Sequence, residues 1–575
     1  MRRILLLIFA LIPSIGTAQN LLNPTDYIYP IREVAGLYSA NFGEMRPGHF
    51  HAGIDIKTDG VEGKPLVAVA DGYVSRISVQ AGGYGRAIYL TLHNGQTAVY
   101  GHLNRFRPDI DSLMQADRYR RKSNSIDRWF TPEQFPVKQG ELIGYSGNSG
   151  SSGGPHLHYE LRDTQDQRLR NVVSEGIICP IDSLPPRFMK LHYVEIDSLA
   201  EGVCIHRPME SYAVVRELEG RYRLTHEEPL PVGRKGYFVA EVTDRRNGVQ
   251  NTFAVHRIGM EVDGKTCFEF QIDHFTHAYS SSCDAVSHYG LQLGSRNETI
   301  RLAQLEGAPS FCYPTLIERG LIRTHAEEVR TVRLTCDDDC GNRSTLTFMI
   351  KGRTTDYVAE PKDSTWVMIP MQHAKELRHG AEFSIHLPAK ALYESTYARI
   401  EPGVIPQIDS GVVALSPAYR VLDTHTPLRK AATVVIHTYI PDSLRTRAMI
   451  AVRNWRDRAV AVGGKYSHGE VSATTRTAGD YFVVADIQEP TIHPIFNDGA
   501  ALSKQLTFKV ADNFSGIASW SLEIDGEWRP CDRYPSRGIL VYHFDHPAED
   551  RSHHYRLTVT DSAGNSAIRE GSYRH

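Results

Sequence analysis

The stretch Gly48-His49-Phe50-His51-Ala52-Gly53-Ile54-Asp55-Ile56 places His51 and Asp55 in an H-x-x-x-D spacing, and far downstream Pro155-His156-Leu157-His158-Tyr159-Glu160 supplies two more histidines. Between them lie short apolar runs closed by glycine. Leu66 to Ala70 ends at Asp71-Gly72, Tyr73 to Val79 at Gly82-Gly83, and Ala87 to Leu92 at Asn94-Gly95. Asn-Gly and Asp-Gly between β-branched runs are hairpin chemistry, because tight turns need positive φ. The pattern predicts a mainly β chain that begins with an antiparallel sheet.

His-Leu-His-Tyr-Glu-Leu at 156–161 reads as a strand. Side chains alternate faces, so His156 and His158 point the same way, about 6.6 Å apart. One of them suits a metal ligand and the other a neighbour acting on water at the metal. His51 and Asp55 add an imidazole and a carboxylate. Three protein ligands with an open fourth position is the catalytic zinc pattern, whereas structural sites are closed, usually with cysteine. Tyr100-Gly101-His102-Leu103 ends a strand between the two halves and adds a further histidine. His49, beside the motif, and His93, at a hairpin turn, read as ordinary polar residues. Gly147 to Pro155 is glycine-rich but is followed by proline and a strand, not by the Lys-Ser/Thr and helix of a phosphate loop.

Residues 38–163 resemble the lysostaphin-type zinc endopeptidase family. The resemblance rests on Asn41-Phe42-Gly43, His51-x-Gly53-x-Asp55, Ala70-Asp71-Gly72, Gly83-Tyr84-Gly85, Tyr100-Gly101-His102-Leu103 and Gly154-Pro155-His156-Leu157-His158-Tyr159-Glu160. It implies that His51, Asp55 and His158 hold one zinc ion per chain and that His102 and His156 are the catalytic pair. It also implies a peptidoglycan crosslink or stem peptide as substrate. In such a site zinc lowers the pKa of its water toward about 7 and polarises the scissile carbonyl. A neutral histidine can relay a proton, and the other can hydrogen-bond the developing oxyanion. The interval from His102 to His156 is longer than is usual in the family. The extra piece holds the basic run Asp117-Arg118-Tyr119-Arg120-Arg121-Lys122, expected to form a solvated face or, alternatively, a lid.

The chain has 575 residues and a formal net charge of -3. That length implies several domains, and that charge gives no push toward nucleic acid. Residues 1–18 read as a signal peptide: Arg2-Arg3, an apolar core, then Gly16-Thr17-Ala18. No later run is long and apolar enough for a transmembrane anchor. The expectation is an exported protein, periplasmic, envelope-associated or secreted. The eight cysteines admit too many pairings to choose among, and Cys336 and Cys340 read as a local disulfide or two free thiols rather than a zinc site.

The domain reading is a zinc metallopeptidase domain at 27–185, a β-sandwich at 186–354 with an insertion, a β-rich unit of unknown type at 355–485, and a second sandwich at 486–575. The two sandwiches are read as immunoglobulin-like copies. Each has a strand ending in Asp (Asp244, Asp512), then a turn and a second strand, and a closing turn at Asp339 to Ser344 or Asp561 to Ser566. These C-terminal units are expected to bind or orient, with envelope proteins as candidate partners. His543, His546, His553 and His554 read as surface residues of a loop. Two further functions stay open beside the peptidoglycan endopeptidase: a non-catalytic wall-binding or hydrolase-activating scaffold, and a secreted protease for glycine-rich proteins.

Overall fold

The computed structural model describes residues 26–198, 203–355, 362–545 and 551–575. The expected leader at 1–18 and His546 lie outside them. Among the described residues no helix is long and apolar enough to cross a membrane. The chain is mainly β, as the hairpin chemistry predicts.

Gly95, at φ 84°, turns strand Arg86–Leu92 back onto Gln96–Gly101, which pairs with it from Ile88↔Tyr100 to Thr91↔Thr97. Gly72–Val79 pairs with the other edge of Arg86–Leu92. The path of the sheet runs Tyr38–Ala40, Ile54–Lys57, His156–Asp163, Gln96–Gly101, Arg86–Leu92, Gly72–Val79, Ile126–Trp129. A smaller sheet of Pro65–Val67, Leu142–Tyr145 and Arg105–Phe106 buries Leu66, Phe106 and Ile143 in the same core as Val74, Ile77, Leu90 and Tyr100. Two period-2 surfaces thus close on one another. The two halves of the histidine motif end up on adjacent central strands.

The basic run falls in the helix Pro108–Arg121, which starts on a proline and ends with Lys122 in the left-handed region. Proline at the first turn costs no hydrogen bond, since that N–H has no partner in the helix anyway. Ile110 and Met114 of this helix join the core. The solvated-face expectation holds for Arg120, Arg121 and Lys122, which are exposed, and is corrected for Asp117 and Arg118, which are 3 % and 1 % exposed. The reason is a carboxylate from the far end of the chain, Asp532, 2.7 Å from the Arg118 guanidinium.

Beyond the peptidase-like lobe, a thirteen-stranded sheet spans the second unit. Its hydrophobic core also takes in Phe42, Met45, Phe50, Ala52 and Leu169 of the first lobe. The lobe's sheet continues through Leu169–Arg170 to His274–Phe275, a strand supplied by the second unit. The third unit pairs a five-stranded and a six-stranded sheet around Phe383, Ile385, Val434, Ile450 and Val483. The last unit sets a four-stranded sheet against a five-stranded one, with Phe508, Leu540, Leu522 and Leu557 in one shared core. All eight cysteines are free thiols. His543 ends strand Ile539–His543, and His553 and His554 lie in strand Ser552–Asp561, so they are strand residues and not a loop. His553 hydrogen-bonds Asp525 at 2.8 Å and stacks on the Tyr573 ring.

Candidate metal centre

Two strand registers assemble the site. His158 stands directly opposite Asp55 on one side and opposite Gly101 on the other. Tyr100 and Tyr159, also opposite each other, fix that register from the core face. His51 enters from the loop before Ile54–Lys57. Gly53 permits this approach, because a Cβ there would sit 2.2 Å from the Tyr159 carbonyl oxygen. His102, just past Gly101, has a left-handed backbone (φ 63°), an uncommon conformation for a side-chain-bearing residue.

His51, Asp55 and His158 are all buried, at 2, 5 and 4 % exposure. His51 Nε2 is 3.0 Å from Asp55 Oδ1 and 3.0 Å from His158 Nδ1, and His158 Nδ1 is 2.8 Å from Asp55 Oδ1. The other nitrogen of each ring is already committed. His51 Nδ1 donates to the Asn41 carbonyl at 2.8 Å, and His158 Nε2 donates to Glu160 Oε1 at 2.8 Å. Two imidazole lone pairs and a carboxylate oxygen therefore converge on one point. Tetrahedral bonds of about 2.0–2.1 Å place ligand atoms roughly 3.3 Å apart, close to the triangle found. The nitrogen and oxygen donors suit zinc, and His51, Asp55 and His158 can hold it.

The surrounding charges tune these groups. Burial opposes ionisation of Asp55, but His51 and His158 hold its carboxyl well below the usual range. Burial pushes His51 down to about 4. It opposes charge on His158 too, yet hydrogen bonds to Asp55 and Glu160 carry that ring up to about 9. His102 falls to about 3 through burial and the adjacent His156 and His158 rings.

His102 and His156 face each other with ring centroids 4.8 Å apart. His102 Nδ1 donates to the Ser149 carbonyl at 2.8 Å, and His156 Nδ1 donates to the Gly154 carbonyl at 2.8 Å. His156 Nε2 then lies 3.6 Å from Asp55 Oδ1. A groove of about 650 Å³ opens beside them, lined by Ser39, Glu44, Arg46, Lys57, Gly154 and His156. His49 is exposed and bonds only its own loop, at Pro47; His93 is exposed as well. All five predicted positions come together and the two bystanders stay out.

Sequence reasoning missed four supporting residues. Glu160 Oε1 also accepts Tyr84 Oη at 2.5 Å, and its Oε2 accepts Arg162 Nε at 2.6 Å. Such partners fix the tautomer and orientation of a ligating histidine. The alternation His156, His158, Glu160, Arg162 on one strand face was the available signal. Arg46 Nη2 donates to Asp55 Oδ2 at 2.9 Å, which leaves Oδ1 for the centre. It comes from outside the motif, and nothing in its spacing marks it.

Residues 49–118 match the model of peptidase family M23, and residues 370–486 match a Zu5-like domain. An uncharacterised metalloprotease of Haemophilus influenzae is 37 % identical over 119 residues, covering 21 % of this chain and 19 % of that protein. The DD-carboxypeptidase/endopeptidase Mpg of Neisseria meningitidis serogroup B is 34 % identical over 112 residues, 20 % of each chain. The similarity thus spans about a fifth of these relatives' length. The catalytic domain of the antimicrobial peptidase lysostaphin from Staphylococcus simulans aligns at 25 % identity over 22 % of this chain and 78 % of that one, with a TM-score of 0.15. The family match lies on the stretch that carries His51, Asp55 and His102, and the amino-terminal lobe thus contains a peptidase M23 (lysostaphin-type) domain.

Proposed function

We propose that the chain is an exported zinc-dependent endopeptidase that cuts the crosslinks or stem peptides of peptidoglycan, with His51, Asp55 and His158 as metal ligands and His102 and His156 as its catalytic pair. The observation that carries this reading is the convergence of His51, Asp55 and His158 on one point beside an open groove that Asp55 and His156 line, with His102 packed against His156. A relative named DD-carboxypeptidase/endopeptidase supports the substrate class.

Zinc, when bound, supplies Lewis acidity: it polarises a carbonyl and acidifies water. The chain's own groups do the rest. Carbonyl acceptors at Ser149 and Gly154 hold the Nδ1–H of His102 and His156 in place, so each ring turns Nε2 to the reacting atoms. One neutral Nε2 takes a proton from the attacking water and returns it to the leaving amine. The other, once protonated, donates to the oxyanion, and it is positioned before charge develops. Gly153 and Gly154 have open space where a Cβ would point, so the groove floor admits a peptide backbone closely. Lys57 on its wall offers a cation to a substrate carboxylate.

Incubation of the zinc-loaded protein with purified sacculi tests this. New muropeptide termini are expected, identified by mass spectrometry and absent with His158→Ala. Sacculi that are bound but left uncut favour the scaffold reading. Cleavage of glycine-rich protein with sacculi untouched favours the secreted protease.

A further inference from the structure

Far from the groove, three carboxylates gather in each of two places: Asp182, Asp244 and Asp338, and Asp486, Asp512 and Asp561. One oxygen from each residue lies within 4.8 Å of the others in its set. The two sets occupy matching positions in two different units. Asp182 and Asp486 lie equally far ahead of strands Arg187–Ser198 and Thr491–Pro494, on the chain arriving from the preceding unit. Asp244 and Asp512 directly follow strands Lys235–Thr243 and Gln505–Ala511. Asp338 follows Val329–Asp337, and Asp561 ends Ser552–Asp561. The closing turns share one pattern of asparagine contacts. Asp338 accepts the backbone N–H and the side-chain amide of Asn342, both at 2.8 Å, and Asp561 accepts the same pair from Asn565, both at 2.8 Å.

Several oxygens of these carboxylates have no partner in the protein. Asp244 is 0 % exposed, and neither of its oxygens accepts a hydrogen bond. Asp182 Oδ2 and Asp512 Oδ1 are buried and unpartnered too. Arg246 acts on Asp244 through space but makes its ion pair with Asp339. Burial, and then the like charge of Asp338, push Asp244 up to about 9. A buried carboxylate without a partner is expensive, and this chain builds the same arrangement twice, at the entry to the second unit and at the entry to the last. Its donors are oxygen only, with no imidazole or thiolate, which disfavours zinc and favours a hard cation. Calcium takes six to eight oxygens in flexible geometry, whereas magnesium demands a near-ideal octahedron.

We propose that the two aspartate triads are a pair of calcium sites, each clamping an incoming linker to the tip of the β-unit that follows. The second clamp fixes the unit that carries Asp532 against the peptidase lobe. The site is separate from the zinc centre and does not depend on the peptidase reading.

Calorimetric titration of CaCl2 into the full chain, zinc-loaded and freed of calcium, tests the proposal. Two calcium ions per chain are expected, falling to one in Asp244→Asn, one in Asp512→Asn and none in the double variant. Calcium should raise the melting temperature of the wild type and leave that of the double variant unmoved. Without calcium the variants should melt no lower than the wild type, since asparagine removes repulsion. Absence of heat and of any melting shift up to about 10 mM calcium, beyond the range of extracellular modules, overturns the proposal. So does full binding by the double variant, or equal binding of MgCl2. The wild-type titration decides the matter even if a variant fails to fold.

Discussion

The peptidase lobe meets the rest of the chain on two sides, and the two borders are made of different material. Toward the second unit the border is centred on an apolar core, with hydrogen bonds such as those between Asn41 and Ala254 around it. Phe42 and Phe50 pack on Phe275 with ring centroids 5.1 and 5.6 Å apart, inside a core that the two units share. Toward the last unit it is mostly ionic and polar, with one ring contact of Tyr119 on Trp528. Asp532 bridges Arg86 and Arg118 at 2.6 and 2.7 Å, Asn124 exchanges hydrogen bonds with Trp520 and Cys531, and Ser536 reaches the Ser152 carbonyl beside the groove. An apolar border cannot open without exposing hydrocarbon, whereas water can replace each contact of a polar one. The difference implies a permanent wall on one side of the site and a separable one on the other.

The largest expected effect lies on the apolar side. Phe50 is fully buried, so Phe50→Ala should cost about 3–5 kcal/mol and lower lobe and second unit together in a single urea transition. Two separated transitions would break the comparison. Asp532→Ala comes next. Kept docked, it would strand two buried guanidiniums at a cost of about 3–5 kcal/mol, so the last unit should swing away instead. Small-angle scattering should record a larger radius of gyration while the lobe's own melting stays put. An unchanged radius would mean that this border is as permanent as the first.

The borders should also answer pH with opposite signs, a smaller effect. Glu298, on the apolar side, accepts the N–H groups of Met45 and Val255 at 3.2 and 3.1 Å, yet burial pushes it from 4.5 up to about 8. Its contribution is complete below the unfolded value and is lost as pH rises toward 8. Glu298→Gln should therefore flatten a decline in urea midpoint between pH 5 and 8. Asp532 is half-buried, and Arg118 and Arg86 hold it well below the usual carboxylate range. That contact is complete above the unfolded value of about 3.9 and is lost only as pH falls through the lower folded one. Urea midpoints of the two variants across pH measure both slopes. A midpoint that rises from pH 5 to 8 through Glu298 would contradict the sign.

What the sequence made legible was local. Asn94-Gly95 forms its hairpin, His156 to Glu160 forms its strand, and the five site positions meet because strict glycine and register demands left their mark in H-x-G-x-D and G-x-H. Arg118 was misread because its partner Asp532 lies at the opposite end of the chain, and a charge run carries no trace of a distant counter-charge. Phe275 likewise gave no sign that it would complete another unit's sheet. Glu160 and Arg162 could have been found by carrying the two-residue period past His158. Arg46 could not, since only the folded loop brings it to Asp55.

The central claim is that His51, Asp55 and His158 hold the metal while His102 and His156 act beside it. Zinc content and sacculus turnover measured on the same preparations test it most directly. The account predicts that His158→Ala loses both zinc and turnover, and that His102→Ala keeps its zinc but loses turnover. Turnover that survives in His158→Ala, or zinc lost from His102→Ala as completely as from His158→Ala, would contradict it.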